Sequence, residues 1–282
     1  MVDVARISLG DLQYYRETLG DIAAQARSYV YDAVEASGGG VTAMREAAIE
    51  ALQDSVGIHG EMAQAWAGQL FDEVCALEGM GPFDFQMFDD IIDFAMLEDK
   101  VRYFAKALVE GDRGRYLDDC SQLADFYVWR CNRDSMVRNC EGSGVRYARV
   151  PTNSNPCEYC VMLASRGFVY HTARDAEAGS HRSCQCLCVP GGPSTSVEGY
   201  DPDALYDQWK DSGFMPSVKG GGSKFARADI RGKANAAMMR IEGASSMREL
   251  TDIVNGTNLD GMTDRQRQGL QWAVDRARKR LR

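Results

Sequence analysis

Apolar residues recur at three- and four-residue spacing through the first half of the chain, the period of a helix with one buried face. Ser8, with Asp11 three residues on, predicts a capped start for a first helix. That helix runs through Leu12, Tyr15, Leu19, Ile22, Ala23 and Val30 to a stop at Gly38-Gly39-Gly40. Thr42 with Glu46 reads as a capping box for a second helix over roughly Ala43 to Asp54, and a third covers roughly Glu61 to Leu77. Gly79-Met80-Gly81-Pro82 breaks the pattern. Two helices are predicted beyond it, near Phe85 to Phe94 and Glu98 to Val109. After Gly111 to Gly114, a long helix is predicted from Tyr116 to Asn139, striped by Leu117, Cys120, Leu123, Phe126, Tyr127 and Cys131. Residues 1–141 therefore read as an all-helical domain.

The texture then changes. One proline precedes Pro151, and six lie from there onward. Val145 to Val150 alternates and is β-prone, as is the short run Phe168-Val169-Tyr170. Residues 142–192 read as a small β-rich unit, too short to bury much core alone and in need of a staple. Residues 193–222 read as a linker with a short helix over Asp203 to Lys210, ending in Lys219-Gly220-Gly221-Gly222. Residues 223–282 read as C-terminal helices, the last capped by Thr263. The predicted class is α+β and mostly helical.

A chain of 282 residues with 45% hydrophobic and 26% charged residues is globular in composition. Its apolar runs are too short to span a bilayer, and its first residues lack the apolar stretch of a signal peptide, so a soluble chain made in a cytosol is expected. A net charge of −9 argues against a globally basic nucleic-acid coat. The charge is uneven, however. From Glu46 to Asp99 there are thirteen acidic residues and no Lys or Arg. The last helix is basic, with Arg265, Arg267, Arg276, Arg278, Lys279, Arg280 and Arg282. Solvated helix faces account for both; so do two interaction surfaces, the basic one a candidate for nucleic acid through Arg276, Arg278, Lys279, Arg280 and Arg282.

Nine cysteines in a cytosolic chain point to thiols rather than disulfides. Cys75, Cys120, Cys131 and Cys140 fall in helical patterns and read as small core residues. The other five cluster: Cys157-Glu158-Tyr159-Cys160, then twenty residues, then His181-Arg182-Ser183-Cys184-Gln185-Cys186, with Cys188 beyond. CxxC places two thiolates on one turn, and HxxC places an imidazole and a thiolate likewise. Two such pairs suit a closed, tetrahedral, structural Zn2+ site. Cys157, Cys160 and His181 are clear candidates. Cys184 and Cys186 compete for the fourth place; Cys184 makes the more compact knuckle and is preferred. Cys188 and His171 are weaker candidates.

Arg149-Val150-Pro151, the CxxC, Leu163 to Gly167, Val169-Tyr170 and the HxxCxC together resemble the Mu F-like head-morphogenesis family of phage minor head proteins, in its actinobacteriophage branch. Glu198 to Trp209 is similar to that branch as well. The resemblance implies a structural minor capsid protein of a tailed phage. Such a protein is made in the bacterial host cytoplasm and carried inside the head. Its implied partners are the portal protein, packaged DNA, and capsid or scaffold proteins, with no membrane and no small-molecule substrate. Two other classes are weighed against it: a zinc-dependent nucleic-acid-binding regulator, and a metal-dependent hydrolase. Only His59, His171 and His181 are available for acid–base work, and there is no G-x-S-x-G, Walker loop or H-E-x-x-H. A non-enzymatic role is therefore expected.

Overall fold

A computed structural model describes residues 7–152, 156–172, 185–192, 195–212, 237, 240–241, 244–257, 259 and 264–281. It is mostly helical with one two-stranded sheet. The helices are α1 (Leu9–Ala36), α2 (Val41–Leu77), α3 (Phe94–Phe104), α4 (Lys106–Val109) and α5 (Arg113–Ser143), then α6 (Glu158–Ala164), α7 (Pro202–Ser212), α8 (Met247–Gly256) and α9 (Asp264–Arg280). The strands are β1 (Arg146–Val150) and β2 (Leu187–Gly191). None of the described helices is long and apolar enough to cross a membrane.

The start of α1 follows the local chemistry. Ser8 accepts from the Asp11 N–H at 3.1 Å, and the Asp11 carboxylate accepts from the Ser8 N–H at 2.8 Å, which closes a capping box. The second start differs from expectation. α2 begins at Val41 behind Gly40 with no side-chain cap, and Glu46 pairs with Arg45 at 2.7 Å instead of reaching back to Thr42. The two helices expected between Ala43 and Leu77 are one continuous helix of 37 residues. Its mid-helix glycine serves packing: a Cβ on Gly60 would stand 3.0 Å from the Cys131 sulfur of α5. Helix propensity is given up there so that two backbones can approach.

The helix expected over Phe85 to Phe94 does not form. Residues 78–93 are non-helical and run as a strap across α2 and α5. Phe83 and Phe85, two apart, both lean on Phe71, with ring centroids 5.9 and 5.6 Å away. That is the spacing of an extended chain. Two buried amide side chains take the place of a neighbouring strand. Asn139 accepts from the Gln86 N–H at 2.7 Å and donates to the Gln86 carbonyl at 2.8 Å. Gln64 does the same for Phe88, at 2.8 and 3.1 Å. Asp93 then caps α3 through the Met96 N–H.

α1, α2 and α5 pack together as the central bundle. α5 ends at Gly144, which adopts the left-handed conformation (φ 71°) that a helix C-terminus favours in glycine. The chain reverses there directly into β1. β1 pairs antiparallel with β2, Arg146 opposite Gly191 and Val150 opposite Leu187. On its other edge, Tyr147 exchanges backbone hydrogen bonds with Tyr170 at 3.0 and 3.2 Å. The β-prone run at 168–170 thus contributes a single bridge. Both β2 and β1 rest on the helices, and one hydrophobic core runs from Leu12 of α1 to Val189 of β2 and Val197. Ile7 and Leu9 bond in turn to Glu198. Residues 142–144 therefore join the helical half to the sheet rather than part them. The C-terminal residues Ala237, Ile241, Ala244, Leu250, Leu270, Ala273, Val274 and Ala277 form a second, smaller core.

Candidate metal centre

Cys157 is the N-cap of α6, and its sulfur accepts the backbone N–H of Cys160 at 3.4 Å. The CxxC is thus a helix start in which the first cysteine caps the turn carrying the second. Cys157 is exposed and Cys160 is 3% exposed. Cys186, just before β2, is 2% exposed and packs against Cys160 apart from the main core. Three of the five candidate ligands are therefore described, and two of those touch. His181 and Cys184 lie outside the described residues. Among the described residues, no three His, Cys, Asp or Glu side chains are grouped to hold a metal ion.

Three elements converge to hold this place. Gln185, next to Cys186, is gripped twice: Arg16 of α1 donates to its side-chain oxygen at 3.2 Å, and the Thr152 hydroxyl donates to its carbonyl at 3.4 Å. The Tyr147 hydroxyl donates to the Thr172 carbonyl at 2.8 Å, where the chain leaves for the His181 arm. The Tyr170 hydroxyl donates to the Leu163 carbonyl at 2.7 Å and that of Tyr200 to the Ala164 carbonyl, closing the end of α6. Burial raises the pKa of both phenols, which keeps them neutral donors.

The remaining cysteines are chemically distinct. Burial pushes the Cys75 thiol up to about 11 and those of Cys120 and Cys131 up to about 12. It raises Cys140 well above the usual range, with Cys188 and Cys75 adding to the effect. These helical cysteines are protonated core residues, as their helical spacing suggested. Cys188 sits in β2 opposite Arg149 and belongs to the main core. His171 is exposed after the Tyr170 bridge.

The basic C-terminal residues are partly committed elsewhere. Arg278 pairs with Asp275 at 3.9 Å, and Arg280 donates to the Ala244 carbonyl of its own unit. Arg267 donates to the Leu259 carbonyl at 3.4 Å. Arg276 lies over the Trp272 ring, 4.7 Å from its centroid, and Lys279 is exposed. Arg282 lies outside the described residues. Sequence reasoning missed Arg16 and Trp272. Nothing local links Arg16 to a residue 169 positions away. A lone tryptophan among arginines on a polar helix was a readable signal.

A family model described as VG15 protein matches residues 6–212. The match takes in the central bundle, the strap, the sheet, the cysteine cluster and α7, and stops before the second core. No curated protein and no solved structure matches the chain.

Proposed function

Because the chain belongs to the VG15 protein family, a phage-associated family, we propose that it is a structural minor head protein of a tailed phage. In this reading it is made in the host cytoplasm, enters the head during assembly and binds the portal, with packaged DNA and capsid or scaffold proteins as neighbours. The observation that carries the reading is the cysteine knuckle. Cys157 and Cys160 open α6, Cys186 packs on Cys160, and the whole is tied into the core by Arg16, Thr152, Tyr147 and Tyr170. Such anchoring suits a staple, not a mobile or exposed reaction centre.

The donor set fits Zn2+: Cys157, Cys160, His181 and one of Cys184 or Cys186 would supply thiolates and an imidazole, the ligands of closed structural sites. Bound there, zinc would cross-link α6 to the arm leading into β2 and add binding free energy to folding. The contact between Cys160 and Cys186 favours Cys186 over the preference for Cys184 drawn from spacing alone. No catalytic residue is assigned.

The test is composition of the particle. Procapsids purified from infected cells should contain this chain together with the portal, and the isolated protein should carry about one zinc per chain. Heads lacking the chain would end the structural reading. Protein free of zinc with its thiols reduced would end the metal assignment alone.

A further inference from the structure

Two helix faces of opposite character lie outside the cysteine cluster. On α9, Trp272 is 58% exposed, with the Arg276 guanidinium stacked on its ring. Lys279 is exposed one turn further along the same face. On α2, Ile58 (58% exposed) and Met62 (43%) lie four residues apart, flanked by exposed Asp54 and Glu61. Residues 54, 58, 61 and 62 share one side of the helix. No Lys or Arg is encoded between Glu46 and Asp99, so α2 itself brings only acidic charge to this side.

We propose that α9 of one copy docks on the α2 face of a second copy. Trp272 covers Ile58 and Met62, while Arg276 and Lys279 meet Asp54 and Glu61. Tryptophan and arginine dominate the binding energy of protein interfaces. Stacking on the indole already restrains Arg276, so less side-chain freedom is lost on docking. Opposite charge steers the encounter and sets its register. Phosphate contacts would use the cations alone and leave the exposed indole without a role. The docking and receiving faces differ, so the contact is head-to-tail and closes into a ring or extends as a chain. The inference goes beyond the head-protein reading and does not depend on it.

Sedimentation of the full chain tests it. At about 50 mM salt the protein should self-associate with concentration, and at about 500 mM the association should weaken at least about tenfold. Trp272→Ala should weaken it by about tenfold or more. The paired changes Arg276→Glu with Lys279→Glu, and Asp54→Lys with Glu61→Lys, should each abolish it. Mixing the two charge-swapped chains should restore it, since the acidic tail of one then meets the basic face of the other. All these residues are exposed, and unchanged circular dichroism would establish that the variants fold. A wild-type monomer at low salt overturns the proposal, as does failure of the mixed chains to associate. Loss of duplex-DNA binding in the tail variant with self-association intact also overturns it and makes α9 a nucleic-acid face.

Discussion

Replacing Asn139 with leucine removes one of the two clamps on the strap formed by residues 78–93, while keeping side-chain volume roughly constant. The two hydrogen bonds to Gln86, at 2.7 and 2.8 Å, are lost. Each is worth about 1 kcal/mol net, so the clamp contributes about 2 kcal/mol. The cost should not run far above that figure. Gln86 is exposed, and water can take over its backbone groups once the amide is gone. The aromatic contacts of Phe83 and Phe85 with Phe71 also persist. For a cooperative unit of this size, the expected fall in Tm is about 4–8 °C. Urea unfolding followed by far-ultraviolet circular dichroism should show a lower midpoint with an unchanged slope. Hydrogen exchange should speed up at the Gln86 and Phe88 amides before it does in α2 or α5. Gln64→Leu should behave similarly. The double variant should cost less than the sum, because a strap freed at one clamp has already lost part of the other. A cost below about 0.5 kcal/mol, or unaltered exchange at Gln86, would refute the reasoning.

Chelating the metal, or changing Cys157 to Ser, should lower the single melting transition of the helical bundle by about 5 °C or more, because sheet and helices share one core; two separate transitions would contradict that sharing. Arg16→Ala should weaken zinc binding about tenfold without touching a ligand, by freeing Gln185, and unchanged affinity in a competition titration would remove Arg16 from the site. Limited proteolysis should cut first in the glycine-rich run from Lys219 to Lys224 and spare residues 142–144, the last residues of α5 and its glycine cap; early cleavage at 142–144 would be the contrary result. Burial raises the pKa of Asp125 against the opposing pull of Arg27 and Arg133. The folded chain therefore holds that proton more tightly than the unfolded one. Stability from this group falls as pH rises from about 3.9 through the folded value. Asp125→Asn should accordingly compare better with wild type at pH 7 than at about pH 3, below the unfolded value, and an equal difference at both would exclude the effect.

The helical half was readable because its signals are local. Ser8 and Asp11 cap α1 as their spacing indicates, and the stripe from Leu117 to Cys131 belongs to one long helix. The errors fall where tertiary packing overrides local preference. The gap expected between Asp54 and Glu61 is helix, and Gly60 within it is small because Cys131 lies against it. The alternation of Phe83 and Phe85 was a strand-like signal. It was hidden because the strap's partners are side chains from α2 and α5, not another strand. In the cysteine cluster, ligand types and spacing could be read directly. The grip on Gln185 could not, since Arg16 is distant in sequence and carries no motif.

Among the described residues, four of the eight buried in the second core are alanines: Ala237, Ala244, Ala273 and Ala277. Alanine removes little apolar area from water, so these four positions add only modestly to the driving force for folding. Whatever grips α9 therefore also acts as a ligand that binds only the folded form, and mass action adds its binding free energy to the folding of that unit. In dilute solution, with no partner bound, that added stabilisation is absent. Where copies or partners are crowded together the C-terminal unit would be held shut. The tail then works as a latch set by local concentration, engaged by assembly itself and released by dispersal.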